Sequence, residues 1–330
     1  YGDLASRSNQ LARYLIERGV GPDAVVAILL DRSFEMIVAM LGVLKAGGAY
    51  LPLDPEYPAQ RLSFMIGDSG SVFVISDGDL YAGLDTQDAV LPPQIDVYDA
   101  ALLQQLEALP DGVIDPSERI APLQPDHLAY LIYTSGSTGT PKGAVNLHSS
   151  INNSLSRLQA MVNLDANDRI LLKTGISFDA AVWECFLPLL NGSRLIIAEP
   201  GGQKDLIYLG RIIEEQSVTV QHFVPSALSV LLEELAKNNS HSLRHILSGG
   251  ETLTKSLARD LAPEITVNAV APGAILLPSD GSSNEELLLS KIPLGRLGTE
   301  ADIASAVFYL SKNKYITGQI LRVDGGRSLN

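Results

Sequence analysis

The sequence predicts an α/β fold in which a mainly parallel sheet is covered by helices. Segments with apolar residues at helical spacing alternate along the chain with short apolar runs. The first pattern marks helices with one buried face, and the second marks strands buried on both sides. Glycine and proline punctuate the joints between them.

The first segment places Leu4, Leu11, Ala12, Leu15 and Ile16 at helical spacing and stops at Gly19, Gly21 and Pro22. Residues 25–30 form an apolar run read as a buried strand. Residues 33–46 read as a helix with Ser33 as its N-cap, ended by Gly47 and Gly48. Residues 49–53 and 72–75 read as further strands. Residues 77–125 carry scattered Asp, Gly and Pro, with one helical patch near 102–109, and read as a long surface connection. The alternation then resumes. Strands are expected at 128–133, 170–173, 195–198, 218–223 and 245–247, and helices at 149–161, 180–190, 206–216 and 227–237.

At 330 residues the chain is long enough for one large α/β unit or two modest domains. A net charge of −14 argues against nucleic acid or an anionic membrane as the main partner. The single Cys185 allows no intrachain disulfide and no cysteine cluster for zinc, so no metal site is expected and a cytoplasmic setting fits. No apolar run reaches the roughly 18–20 residues of a membrane-spanning helix. The chain opens at Tyr1, without Met and directly in a helical pattern, and reads as a fragment. From Thr254 onward it holds eight basic and eight acidic residues, so all of the negative charge lies before that point. This shift hints that two sources meet near position 250.

The stretch richest in chemistry is LAYLIYTSGSTGTPKG, residues 128–143. An apolar strand runs into Thr134, Ser135, Gly136, Ser137, Thr138 and Gly139, and Lys142 follows after Pro141. Glycines let a backbone approach a ligand closely. Hydroxyls and backbone N–H groups can then hold phosphate oxygens, and Lys142 adds a positive charge. The Walker spacing does not occur. A plain Ser/Gly surface loop is the alternative for such a run taken without its strand.

Residues 128–143 resemble the phosphate loop of adenylate-forming enzymes, specifically the amino-acid-activating adenylation domains of nonribosomal peptide synthetases. LKAGGAYLPLDPEYP (44–58), FDAAVWECF (178–186) and LSGGETL (247–253) are similar to three further motifs of that family, in the same order. The resemblance covers about residues 1–251 and implies an incomplete adenylate-forming large subdomain. It implies that ATP, with Mg²⁺, and an amino acid are joined as an aminoacyl-adenylate with release of pyrophosphate. A carrier protein is an implied partner in the parent system. By resemblance, Thr134 to Gly139 and Lys142 hold the phosphates, and Gly249 and Gly250 border the adenine. Asp179 pairs with the substrate's α-ammonium, and Ala180, Trp183, His222, Ile246 and Ser248 shape the side-chain pocket. Read without the resemblance, Asp179 is a candidate helix N-cap, and Trp183 and His222 are candidate core residues. His148, after a strand, borders the site or starts a helix.

After LSGGETL the family's adenine-stacking Tyr, its Mg²⁺-binding Glu, the ribose-binding Asp and the small C-terminal subdomain with its catalytic Lys are missing. No residue takes those roles, so the catalytic residues are unassigned and turnover is expected to be impaired. Residues 253–278 and 292–326 instead resemble the C-terminal end of short-chain dehydrogenase/reductases, which implies a partial Rossmann-type α/β fragment at 252–330. Read from the residues, 266–270 is a strand, Pro272 and Gly273 a turn, 301–310 a helix and 320–323 a strand. A complete member needs a glycine-rich dinucleotide loop and a Tyr-x-x-x-Lys pair; the pair's positions hold Leu243 and Leu247. NAD(P) is therefore not expected. The sequence is thus compatible with an adenylating ligase by lineage, a non-catalytic fusion product and, last, an oxidoreductase.

Overall fold

The structure is a computed structural model. It describes residues 1–85, 90–135, 141–228, 230–231, 242–248, 258–259, 262, 266–273 and 289–329. The chain divides into two compact units, Tyr1–Leu209 and Gly210–Asn330.

The first unit is built on a six-stranded sheet. Its central strand, β1 (Val25–Leu29), is buried at every position. It pairs in parallel with β2 (Ala49–Leu53), Val25 beside Ala49 and Leu29 beside Leu53, and on its other side with β3 (Phe73–Ser76). The short strand β4 (Gln94–Asp96) pairs with β3, and β5 (Leu128–Ser135) pairs with β2. The last strand, β6 (Pro141–Leu147), runs antiparallel to β5.

Strand alternation decides which residues meet which helix. Val25, Ala27, Leu29, Leu51 and Leu53 share one face, where they pack with Leu62, Met65 and Ile66 of α3 (Ala59–Asp68). Burying each of those three side chains contributes about 1.5–3 kcal/mol. Val26, Ile28 and Tyr50 fill the opposite face and are fully buried. α1 (Gly2–Glu17) carries a stripe of buried residues, Leu4, Leu11, Ala12 and Leu15. It lies against α2 (Phe34–Ala46) where Gly42 admits Leu11. A Cβ on Gly42 would stand 2.8 Å from Leu11 Cδ2. The predicted caps of α2 are present. Ser33 Oγ accepts from Met36 N at 3.1 Å, and Gly47 closes the helix at φ 97°.

The 77–125 stretch is more ordered than its composition predicts. Besides β4 it holds α4 (Gly78–Ala82) and α5 (Ala100–Glu107), capped by Asp77 and Asp99. Arg13 of α1 ties its far end down, bonding Pro110 O at 2.6 Å, Gly112 O at 2.8 Å and Glu118 at 2.7 Å.

After α6 (His148–Val162), a β–α–β unit completes the first body. β7 (Arg169–Leu172) and β8 (Arg194–Ile197) are parallel neighbours, and α7 (Asp179–Asn191) is the crossover. α8 (Leu206–Glu215) runs across the division between the units.

In the second unit, β9 (Val220–Phe223) and β10 (His245–Ser248) are parallel. So are β11 (Ala269–Pro272) and β12 (Ile320–Val323). α9 (Glu300–Lys312) begins with a reciprocal capping box between Thr299 and Asp302. The helix and strand expected from 301–310 and 320–323 are thus present. The strand expected at 266–270 lies at 269–272.

Candidate functional site

The stretch 128–143, expected to bind phosphate, is framed by a hairpin. Across β5 and β6, Tyr133 is registered with Gly143, Thr134 with Lys142, and Ser135 with Pro141. Thr134, Ser135 and Lys142 therefore belong to strands and not to a loop. Directly opposed side chains stand about 5 Å apart at Cβ, so the Thr134 hydroxyl and Lys142 ammonium share one face. Both residues are exposed. Gly136, Ser137, Thr138 and Gly139 lie outside the described residues, as do Gly249 and Gly250.

Tyr133 anchors this hairpin to the end of α3. Its hydroxyl donates to Asp68 Oδ2 at 2.6 Å. Its ring lies against Gly143, where a Cβ would stand 3.3 Å from Cζ. Burial first, and then the Asp68 carboxylate, push the phenol well above its ordinary range.

Asp179 is the first residue of α7, and the N-cap is Phe178, which makes no side-chain cap bond. The N-cap alternative for Asp179 therefore does not hold. Its carboxylate sits in the first turn, where the helix dipole favours negative charge. Asp179 is exposed, while Ala180 and Trp183 are half-buried. Asp179 and Trp183, four residues apart, fall on one helix face. The Asp179 charge adds to burial in raising the pKa of Tyr130 on β5. Tyr130 stacks on Tyr50 at 5.6 Å between centroids, and Tyr50 meets Phe186 of α7 at 6.2 Å. These aromatic contacts hold the middle of α7 near the strand that leads into the β5–β6 hairpin. Tyr130 precedes Thr134 by four residues, roughly 13 Å along the strand.

The other pocket candidates stand in the second unit. Ile246 and Ser248 share a face of β10 by alternation, and His222 on β9 is registered with Leu247. Ser248 Oγ is buried without a hydrogen-bond partner among the described residues. His148 begins α6. Burial, and then the neighbouring charges of His127 and Arg119, hold its imidazole below the usual value. Among the described residues no group of three or more His, Cys, Asp or Glu could hold a metal ion.

A cluster that sequence reasoning missed lies one turn into α7. Glu184 is fully buried. Its Oε2 accepts from the backbone N–H of Lys173 at 3.1 Å and of Thr174 at 2.8 Å. Its Oε1 accepts from Thr174 Oγ1 at 2.8 Å, and Lys173 Nζ stands 3.8 Å away. Arg32 donates to Lys173 O at 2.8 Å and to Gln203 Oε1. Burial pushes Glu184 up and Lys173 down, each opposed by the other's charge. The available signal was a lone carboxylate inside the apolar run AAVWECFLPLL. Next to it, Cys185 is a buried thiol, pushed up to about 12 chiefly by burial, and is therefore unreactive.

Comparison with known proteins identifies the family. The family model of the AMP-binding enzymes matches residues 1–271, and the chain belongs to that family. A second model, described as enoyl-(acyl carrier protein) reductase, matches residues 233–328. Tyrocidine synthase 3 of Brevibacillus parabrevis is 39% identical over 257 residues, covering 78% of this chain and 4% of that protein. Zwittermicin A synthase ZmaJ of Bacillus cereus is 40% identical over 257 residues, covering 77% of this chain and 47% of that protein. The chain thus spans less than half the length of either relative. Among solved structures, the nonribosomal peptide synthetase FmoA3 in its AMPPNP-bound form is similar with a TM-score of 0.69 and 26% identity. That match covers 79% of this chain and 27% of FmoA3. The α-methyl-L-serine-AMP-bound form of FmoA3 matches with a TM-score of 0.68. Among the described residues no helix is long and apolar enough to cross a membrane.

Proposed function

We propose that the chain carries the ATP- and amino-acid-binding part of an amino-acid-activating adenylation domain, residues 1–251, joined to a reductase-like fragment at 252–330. The observation that carries this reading is the placement of Asp179. Its carboxylate opens α7 beside Tyr130, on the same strand that delivers Thr134 and Ser135 to the phosphate hairpin. Beside Tyr130 the start of α7 offers an anion for an ammonium group, and further along the strand Thr134, with Lys142 opposite it, offers a hydroxyl and a cation for phosphates.

In this reading the substrate ammonium pairs with Asp179, and Ala180, Trp183, His222, Ile246 and Ser248 line its side chain. Thr134 to Gly139 and Lys142 hold the phosphates, and Gly249 and Gly250 border the adenine. A substrate carboxylate oxygen forms a bond to the α-phosphorus. The bond from that phosphorus to the bridging oxygen breaks, and pyrophosphate leaves with the electron pair. Lys142 and the hydroxyls offset the charge on the departing group, an effect that works through positioning and electrostatics. Mg²⁺ arrives with ATP as part of the substrate and neutralises phosphate charge; no residue is assigned to it. A carrier protein belongs to the parent system, and the setting is cytoplasmic.

Turnover is impaired in this reading. Past residue 253, reductase-like sequence stands where the family's adenine-stacking Tyr and Mg²⁺-binding Glu would fall. The second reading, a non-catalytic fusion product, is favoured by the two family models meeting over residues 233–271. Amino-acid-dependent exchange of labelled pyrophosphate into ATP separates the two. Slow exchange, abolished by Asp179→Asn, supports the ligase lineage with residual activity. No exchange with any of the twenty amino acids supports the fusion product.

A further inference from the structure

Glu184 and Asp179 sit on the same helix, yet they do different things. Asp179 is exposed at the helix start, and Glu184 is fully buried five residues on. Between β7 and α7 runs the segment 173–178, and Glu184 reaches back from the helix to grip its beginning. Two backbone N–H groups and the Thr174 hydroxyl all donate to this one carboxylate. Arg32 grips the carbonyl of Lys173 from the other side. At the far end of the segment, Phe178 N donates to Gly175 O at 3.0 Å, and Ala181 N donates to Phe178 O at 3.1 Å. The segment is thus fixed at both ends, and Asp179 follows directly from it.

A buried carboxylate is expensive unless it is compensated. Replacing such a buried charge pair by apolar groups is often neutral for stability. A Leu or Met at position 184 would fill the same space in an apolar helix face, so packing alone does not call for an acid there. What the acid supplies is directed acceptance from three donors at a strand end. We propose that Glu184 is a positioning residue for ammonium recognition. It fixes the 173–178 segment and so the direction in which Asp179 presents its carboxylate. This rests on the reading of Asp179 as the ammonium partner.

The test compares two charge-balanced double variants of the full chain. Taking Glu184's charge alone would strip the buried Lys173 ammonium of that counter-charge, so Lys173→Met is present in both. Lys173→Met/Glu184→Gln keeps one carbonyl oxygen able to accept from both backbone N–H groups. Lys173→Met/Glu184→Met removes the acceptor. Trp183 is the only tryptophan and reports on the pocket by its fluorescence. The probe is whichever of the twenty L-amino acids perturbs that fluorescence at the lowest concentration, set against the same acid lacking its α-amino group. Mg-ATP affinity is measured alongside.

The Glu184→Met form should lose at least tenfold of its preference for the amino acid over the desamino acid. Its affinity for the desamino acid and for Mg-ATP should hold within twofold. The Glu184→Gln form should keep the wild-type preference within about twofold. Equal loss of all three ligands, or an unchanged preference in the Glu184→Met form, overturns the inference. Thr174→Val, which removes only the hydroxyl donor, covers the case in which the Met form does not fold. It should lower the preference two- to threefold at an unchanged melting temperature, and no change counts against the inference. Asp179→Asn separates the two layers. If it keeps the wild-type preference, or if none of the twenty amino acids binds, the underlying reading fails. If it alone collapses the preference, only the role of Glu184 fails.

Discussion

Tyr133 and Asp68 join the β5–β6 hairpin to α3, which covers the sheet: the phenol donates to Asp68 Oδ2 at 2.6 Å from the strand position just before Thr134. The same ring closes on Gly143, so one side chain fixes both strands of the hairpin. Tyr133→Phe should keep the ring contact and lose the hydrogen bond. The expected cost is about 1 kcal/mol of stability in urea denaturation. Mg-ATP affinity should fall severalfold with amino-acid affinity unchanged. Equal loss of both affinities would show a general structural role instead.

The raised pKa of Tyr133 has a definite sign. Its folded-state value lies above the unfolded value near 10, so its contribution is fully present below that pH and is lost as pH rises beyond it. Wild type should therefore lose stability between neutral pH and strongly alkaline solution faster than Tyr133→Phe does. Parallel denaturation curves at pH 8 and pH 11 check this, and identical pH dependence would contradict it.

Gly42 is a packing requirement. A Cβ there would meet Leu11 Cδ2 at 2.8 Å and Cγ at 2.9 Å. Gly42→Val should overpack the α1–α2 contact and destabilise the first unit by roughly 1–3 kcal/mol. Leu11→Ala in the same background should recover part of that loss. Denaturation of the two variants, with the double variant no more stable than Gly42→Val alone, would refute this account of the contact.

In the second unit, Thr299 Oγ1 accepts from Asp302 N at 3.2 Å, while Asp302 Oδ2 accepts from Thr299 N at 2.8 Å. Thr299→Ala should cost about 1 kcal/mol in the stability of α9. Amide exchange through the first turn of the helix should quicken accordingly. The bond to Arg296 first, then those from Thr299, hold the Asp302 carboxyl well below its ordinary range. A depressed carboxylate stabilises above its unfolded value near 4, and that contribution disappears as pH falls below it. Asp302→Asn should flatten the acid limb of the helix signal.

The sheet was readable where local signals agreed. β1 is an unbroken apolar run, and α2 has a serine start and a glycine stop, so pattern and caps point the same way. α3 was missed because its buried residues, Leu62, Ser63, Met65 and Ile66, surround an exposed Phe64, which blurs the apolar period in a ten-residue helix without a side-chain cap. β4 is three residues long, too short to show a period. Thr134, Ser135 and Lys142 look like loop residues by composition, and cross-strand pairing with β6 overrides that preference. Asp179, Ala180 and Trp183 were singled out through motif resemblance, and they lie on the first turns of α7. Glu184 was not legible, because a charged side chain is read as exposed unless its buried donors are known.

The measurement that bears most directly on the central claim is a thermal melt of the whole chain and of Lys142→Met, each alone, with Mg-ATP and with NADP(H). A ligand bound only by the folded state adds about 2.7 kcal/mol at a hundredfold excess over its dissociation constant. The midpoint should rise with Mg-ATP in the wild-type chain, rise much less in Lys142→Met, and stay unchanged with NADP(H). A rise with NADP(H) alone, or a rise with Mg-ATP that Lys142→Met leaves intact, would contradict that claim.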